Sequence, residues 1–226
     1  MADEVIDIIF AASKQVQDEI GIVWPDVMLP YLNLALQEIV NLKPEAYPTT
    51  EVTAMTAGAQ QSIPTGYIQL LDVICNMGSG GSTPGSSIKF IKRHVIEMAL
   101  PNWMEATTSD TVTFAIREVA DPKSFYVFPP NSGDGNIKAI YSAAAPKLTT
   151  DADTFVLDVS YMPACVDYIV YRCLAEETTI PYAQQKSAQY WNKFLADLGL
   201  KTNREMEIQR EVTQGEKGPG ITPTGQ

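Results

Sequence analysis

The sequence predicts a mainly α protein: a helical-bundle body carrying an inserted β-rich region, a small sandwich or a meander, and ending in an extended C-terminal arm. Three observations lead there. Apolar residues recur at helical spacing near both ends of the chain, whereas Val112, Phe114 and Ile116 alternate with Thr113, Ala115 and Arg117 as strand residues do. From residue 201 onward there is no aromatic residue, and the closing GPGITPTGQ has too little apolar surface for a core. Helical stripes on either side of period-two segments require the two ends to meet. Residues 1–47 and 159–200 then form the body, 48–158 the β-rich insertion with one helix near 87–99, and 201–226 the arm.

The first helix rests on Ile6, Ile9, Phe10 and Val16, which fall on one stripe that Gly21 stops. In WPDVMLPYLNLALQEIVNLKP, Leu32, Leu36 and Ile39 repeat at helical spacing; Pro30 is expected in the first turn, where a missing N–H costs little, and Pro44 ends the element. PTTEVTAMTAGAQQSIP reads as strand and turn, and GYIQLLDVICNMG runs into the loop GSGGSTPGSS. Ser86 or Ser87 caps a helix whose Ile88, Ile91, Val95 and Met98 share a face and which Pro101 closes. After the strand at 112–117, ADPKS turns, SFYVF returns, PPNSGDGN turns again and IKAIY supplies a third strand. Since Phe125, Tyr126, Val127 and Phe128 of SFYVF form a continuous aromatic and β-branched run, both faces of the strand must be covered. TTDADTFVLD is a solvated loop feeding an edge strand. Ser160 caps a helix striped by Met162, Cys165, Val166, Ile169 and Cys173, and a last helix turns Ala183, Ser187, Tyr190, Trp191, Phe194, Leu195 and Leu198 inward before a C-cap at Gly199.

The formal charge of −11, from 16 basic and 27 acidic residues, argues against a surface that grips nucleic acid or an anionic membrane. No apolar run has the length to cross a bilayer, and the acidic N-terminus lacks the basic opening of a secretory signal. Cys75, Cys165 and Cys173 show neither zinc nor disulfide spacing, which suits a reducing compartment.

Sites for chemistry are scarce. The Gly80 to Gly85 spacing imitates a phosphate loop, but Ser86 stands where the lysine is needed. His94, the one histidine, has Glu97 three residues on but no further ligands for a metal and no nucleophile motif around it. NSGDGN lacks the ligand pattern of a calcium loop, and Asp151, Asp153 and Asp158 read as a solvated acidic loop. Lys89, Lys92 and Arg93 form one small basic cluster. Trp24, Trp103, Tyr126 and Tyr168 sit beside polar or turn residues and suit interface work. No catalytic, cofactor or metal residue is therefore expected, and an assembly protein is the stronger class over an enzyme. The tail, LKTNREMEIQREVTQGEKGPG, is either a frayed terminus or a segment that orders on a partner, with Arg204, Met206, Ile208, Arg210 and Val212 as its contact residues.

The order of WPDVMLPYLNLALQEIVNLKPEAY, TAGAQQSIPTGYIQLLDVICNMG, LPNW, DPKSFYVFPP, VSYMPACVDYIVYRCLAEE and AQQKSAQYWNKFLADLGLK resembles the head-to-tail adaptor (connector) proteins of short-tailed phages and their relatives. The resemblance covers most of residues 1–200. It implies a non-enzymatic virion protein at the head–tail junction, assembled in the host cytoplasm, that forms a ring, commonly a dodecamer, beneath the portal protein. Its other partners would be a tail or nozzle protein and genomic DNA passing through the channel without sequence-specific binding; no membrane is involved. The tail would reach along the neighbouring ring as a portal-contact arm. The alternatives are another phage assembly or scaffold protein without a channel and, behind it, a small hydrolase using His94.

Overall fold

The computed structural model describes residues 5–20, 25–78, 80–118 and 120–215, with side chains for all of these except 18–20, 25, 26 and 200–215. Among them are helices α1 (Val5–Ile20), α2 (Pro25–Leu42), α3 (Arg93–Ala99), α4 (Met162–Glu176) and α5 (Ala183–Gly215). The strands are β1 (Pro48–Ala54), β2 (Gly58–Ser62), β3 (Tyr67–Met77), β4 (Pro84–Ser87), β5 (Lys89–Phe90), β6 (Phe114–Arg117), β7 (Ser124–Asn131) and β8 (Asn136–Ala143). At 42% helix and 28% strand the fold is mixed α/β, not mainly α. The expectation failed because strands hid in segments read otherwise: β3 is a nearly continuous apolar run, β4 lies in the stretch read as a loop, and β5 falls within the stretch read as a helix. The chain divides into two compact units, Met1–Ala35 with Lys147–Gln226 and Leu36–Pro146.

In the helical unit, α4 packs against both α1 and α5. The reason is written in its burial: Ala164, Cys165, Val166, Tyr168, Ile169, Val170, Cys173 and Leu174 together take in nearly every side of the helix, as a central helix requires. The flanking helices bury one stripe each. On α1 this is Val5, Ile8, Ala12 and Val16, and on α5 it is Ala183, Ser187, Tyr190, Phe194 and Leu198. Tyr168, Tyr171, Trp191 and Phe194 meet ring to ring between α4 and α5, with centroids 5.1 to 6.3 Å apart. The two chain ends are tied by the Val5 amide donating to the Asp153 carbonyl at 3.1 Å. The side chain of Asn33 donates to the Leu148 carbonyl and accepts from its amide.

Two helix expectations change. Pro25 takes the first helical position, so Pro30 stands inside α2, where it has no N–H to offer the Asp26 carbonyl. Helix α5 does not stop at Gly199 but continues for 33 residues to Gly215, so residues 201–215 are helical and not an extended arm. A glycine inside a helix costs only about 1 kcal/mol relative to alanine, and NREMEIQREV is rich in strong helix formers.

The β unit holds two four-stranded sheets, ordered β1-β8-β3-β4 and β2-β7-β6-β5. Leu70, Val73, Ile137, Ala139 and Tyr141 from the first meet Ala115, Phe125 and Val127 from the second in one core. The intervening residues of β7 use its other face: Tyr126 and Phe128 pack with Ile96, Trp103 and Ile116 beneath α3. Both faces of SFYVF are thus covered. Pro129 and Pro130 prolong β7 where no pair to β2 or β6 is formed, so their absent amides break no ladder bond. Helix α3 is 7 residues long, and the predicted caps Ser86 and Ser87 lie in β4. Ile88 belongs to the sandwich core, with its amide on the Ile74 carbonyl at 3.2 Å, while Lys89 and Ile91 donate to Thr113 and Ala115.

Three buried carboxamides close this unit's loops. Asn131 donates to the carbonyls of Ser109 and Asp110 and accepts from the amides of Gly133 and Gly135. Asn76 donates to Ser86 and to the Val112 carbonyl, and accepts from the Val112 amide at 2.8 Å. Gln61 accepts from the Thr56 amide and donates to the carbonyls of Thr56 and Gly58.

Candidate functional site

Most of the groups weighed for chemistry fall into structural tasks, while His94 stands exposed on α3. The glycine-rich loop is a hairpin between β3 and β4, closed by the Gly78 amide on the Thr83 carbonyl at 2.7 Å, and a strand follows it instead of the helix a phosphate loop needs. NSGDGN is the turn held by Asn131. Asp153 accepts from the amides of Thr149 and Thr150 and from both hydroxyls, which draws its carboxyl down to about 2. Asp158 accepts from the Ser160 amide and so caps the short 3-10 turn that opens α4. Among the described residues no group of three or more His, Cys, Asp or Glu is placed to hold a metal ion. None of the described helices is long and apolar enough to cross a membrane.

The basic cluster borders a cleft of about 620 Å³ lined by Phe90, Ile91, Lys92, Arg93, Arg117 and Glu118. Its arginines are occupied. Arg93 pairs with Glu97 at 2.7 Å and Glu118 at 3.3 Å, beside the Tyr126 ring. Arg117 lies 4.6 Å over the Phe90 ring and donates to the Leu71 carbonyl. Glu97 therefore serves Arg93, and the positive charge that remains to the cleft is that of Lys92 and Arg117.

What the sequence reading missed is a set of apolar residues facing outward. Ile6 and Phe10, expected on the buried stripe of α1, are 45% and 71% exposed. Val95 and Met98 of α3 are exposed as well, Met98 to 83%, together with Leu100 and Met104 just after it. Leu195 of α5, expected inward, is exposed, and Trp191 is half-buried. The signal was available in part: α1 has more apolar positions than one helical stripe can bury, and a surplus of that kind has to face a partner or water. Of the interface aromatics, Trp103 is buried edge-on against Tyr126 at 5.8 Å and Tyr168 belongs to the aromatic cluster; Trp24 lies outside the described residues.

The arm residues Arg204, Met206, Ile208, Arg210 and Val212 lie on the far half of α5, and their side chains are outside the described residues. A helical backbone divides these alternating positions into one row of 204, 208 and 212 and another of 206 and 210.

Apolar surface is thus left outward on three helices. No curated protein matches the chain. A family model described as SU10 adaptor protein matches residues 4–216, which span both compact units, so the chain belongs to the SU10 adaptor protein family, a head-to-tail adaptor family of phages.

Proposed function

We propose that this chain is a structural virion protein of the head–tail junction that closes with identical copies into a ring of twelve beneath the portal, joins it to a tail or nozzle protein, and lets genomic DNA pass without reading its sequence. The observation that carries the reading is the family match across residues 4–216. The outward apolar residues of α1, α3 and α5 support it, since an assembling subunit needs surfaces that only a partner covers. With −11 formal charge on each subunit, the lumen is acidic, so DNA meets a repelling wall and slides with little adsorption. Residues 201–226 serve as the portal-contact arm, the part to Gly215 entering as a helix.

Native mass measurement of the purified protein with and without portal tests the ring. The expected result is a closed ring in the presence of portal; a subunit that remains monomeric beside its portal overturns it. Deleting 201–226 should leave the fold intact, because the inward stripe that the sequence predicts for the last helix ends by Leu198, and should weaken portal attachment. Unchanged attachment removes the arm. Retention of duplex DNA by the assembled ring at low salt would contradict the acidic lumen.

A further inference from the structure

We infer that the cleft beside β5 and β6 is a docking site for an extended, acidic segment of a partner protein, which sets a carboxylate between Lys92 and Arg117 and an apolar neighbour over Phe90 and Ile91. The site belongs to a single subunit and does not rest on the ring proposed above. It lies where the second sheet loses a strand. β5, the edge of that sheet, pairs only Lys89 with Phe114 and Phe90 with Ala115, and the Ile91 amide adds a bond to the Ala115 carbonyl at 3.0 Å, whereas β6 runs on to Arg117. Backbone groups two residues apart on a strand point the same way, so Arg117 turns its amide and carbonyl to the side that β5 has left. An incoming extended chain can continue the line of β5 there. The hollow of about 620 Å³ has mainly apolar walls, in which Phe90 and Ile91 are half-buried. A second hollow of about 220 Å³ shares Arg117 and Glu118 and is walled by Leu70, Pro122 and Phe125, so apolar side chains can be seated on both sides of Arg117.

Charge selects the occupant. Arg93 is paired with Glu97 and Glu118, whereas among the described residues neither Lys92 nor Arg117 forms an ion pair. Arg117 spends one guanidinium nitrogen on the Leu71 carbonyl, a neutral partner, and Lys92 is exposed. The charge of both is therefore open to an anion. A carboxylate joined to an apolar side chain uses both properties of the cleft. The phosphate backbone of DNA uses only one: it has nothing to cover the Phe90 ring, and Glu97 and Glu118 stand against a continuous run of phosphates. Because Arg117 also joins the two sheets through Leu71, the decisive substitution falls on Lys92.

The test is isothermal titration of the full chain with a blocked pentapeptide that alternates leucine with glutamate. Saturable binding of one peptide per chain is expected, and the counterpart with glutamine in place of glutamate should bind about tenfold more weakly. That comparison is independent of any variant of the protein. Lys92→Glu, at an exposed position, should weaken binding of the glutamate peptide about tenfold with thermal unfolding unchanged, while Lys138→Gln, on the other sheet, should leave it as it is. Equal binding of the two peptides, equal binding by Lys92→Glu, or no binding at about 1 mM peptide overturns the proposal. Duplex DNA that binds more tightly than the peptide and is lost in Lys92→Glu overturns it in favour of a phosphate site. Self-association of the free protein that Lys92→Glu abolishes overturns it in favour of a second copy as occupant.

Discussion

The β unit buries polar side chains at chosen points, among them Gln61, Asn76, Asn131 and Ser142, whereas among the described residues the buried polar side chains of the helical unit are Glu177 and Ser187. The contrast follows from backbone accounting. A helix satisfies its own amides and carbonyls, so three helices can be joined by apolar stripes alone. Sheet strands satisfy only their neighbours, and the loops that cross a sandwich arrive with unpaired groups that something must meet. In the β unit carboxamides meet them, each bonding at both ends. One unit is therefore held in register by specific polar bonds and the other by packing, and the two should respond to different substitutions.

The largest effect is expected at Gly135, where an added Cβ would stand 2.3 Å from both the Asn131 amide nitrogen and the Asp110 carbonyl and 2.8 Å from Met55. Gly135→Ala should cost about 4 kcal/mol or more in the β unit, read as a lowered urea midpoint through Trp103 fluorescence. Next comes Phe194→Ala, which removes the most deeply buried ring of the aromatic cluster and should cost about 3 to 4 kcal/mol, detected by Trp191 and near-UV circular dichroism with the sheet signal retained. Asn76→Ala strands the Val112 amide and carbonyl and should cost about 2 to 3 kcal/mol, while Asn33→Ala, its part-buried counterpart in the helical unit, should cost about 1 kcal/mol. Equal losses at these two asparagines would break the comparison.

The smallest effect of this set has the opposite sign. Burial pushes the Asp167 carboxyl up to about 6, Lys193 partly offsetting this and Asp197 adding to it. Between pH 4 and 6 the folded protein then binds more protons at this group than the unfolded chain, so stability falls as pH rises through that window. Asp167→Asn should remove this slope and add about 1 kcal/mol at neutral pH after allowance for solvent screening, measured as thermal midpoints across pH 4 to 8.

The periodicities that were legible are those backed by a single-sided environment: Ala183, Ser187, Tyr190, Phe194 and Leu198 of α5 are buried where spacing put them, although Leu195 is exposed, and IKAIY stands in β8. SFYVF could be read as covered on both sides because no polar residue interrupts it. Elsewhere one residue satisfied two patterns. Ile88, Ile91 and Val95 keep helical spacing, yet Ile88 and Phe90 also keep strand spacing, and the pairing of Lys89 with Phe114 settled the competition in favour of the sheet. The amide clamps were invisible because Asn131 bonds to Ser109, a partner that no local spacing indicates. The outward residues Ile6 and Phe10 were misassigned for a related reason: periodicity reports that a helix has apolar positions, and only packing on α4 shows which of them the subunit itself covers.

Helix α5 can finally be considered as a mechanical part. At 33 residues it is a rod of about 50 Å, while the α4 against which it packs has 15 residues and spans about 22 Å. Its one interior glycine, Gly199, follows directly on buried Leu198, and nothing lies within 4 Å of where a Cβ would stand there. Alanine would fit and would stiffen the helix, so the compliance of the rod is concentrated at Gly199. A load along α5 is therefore taken up first at that joint, one residue past Leu198 and the packing that holds it.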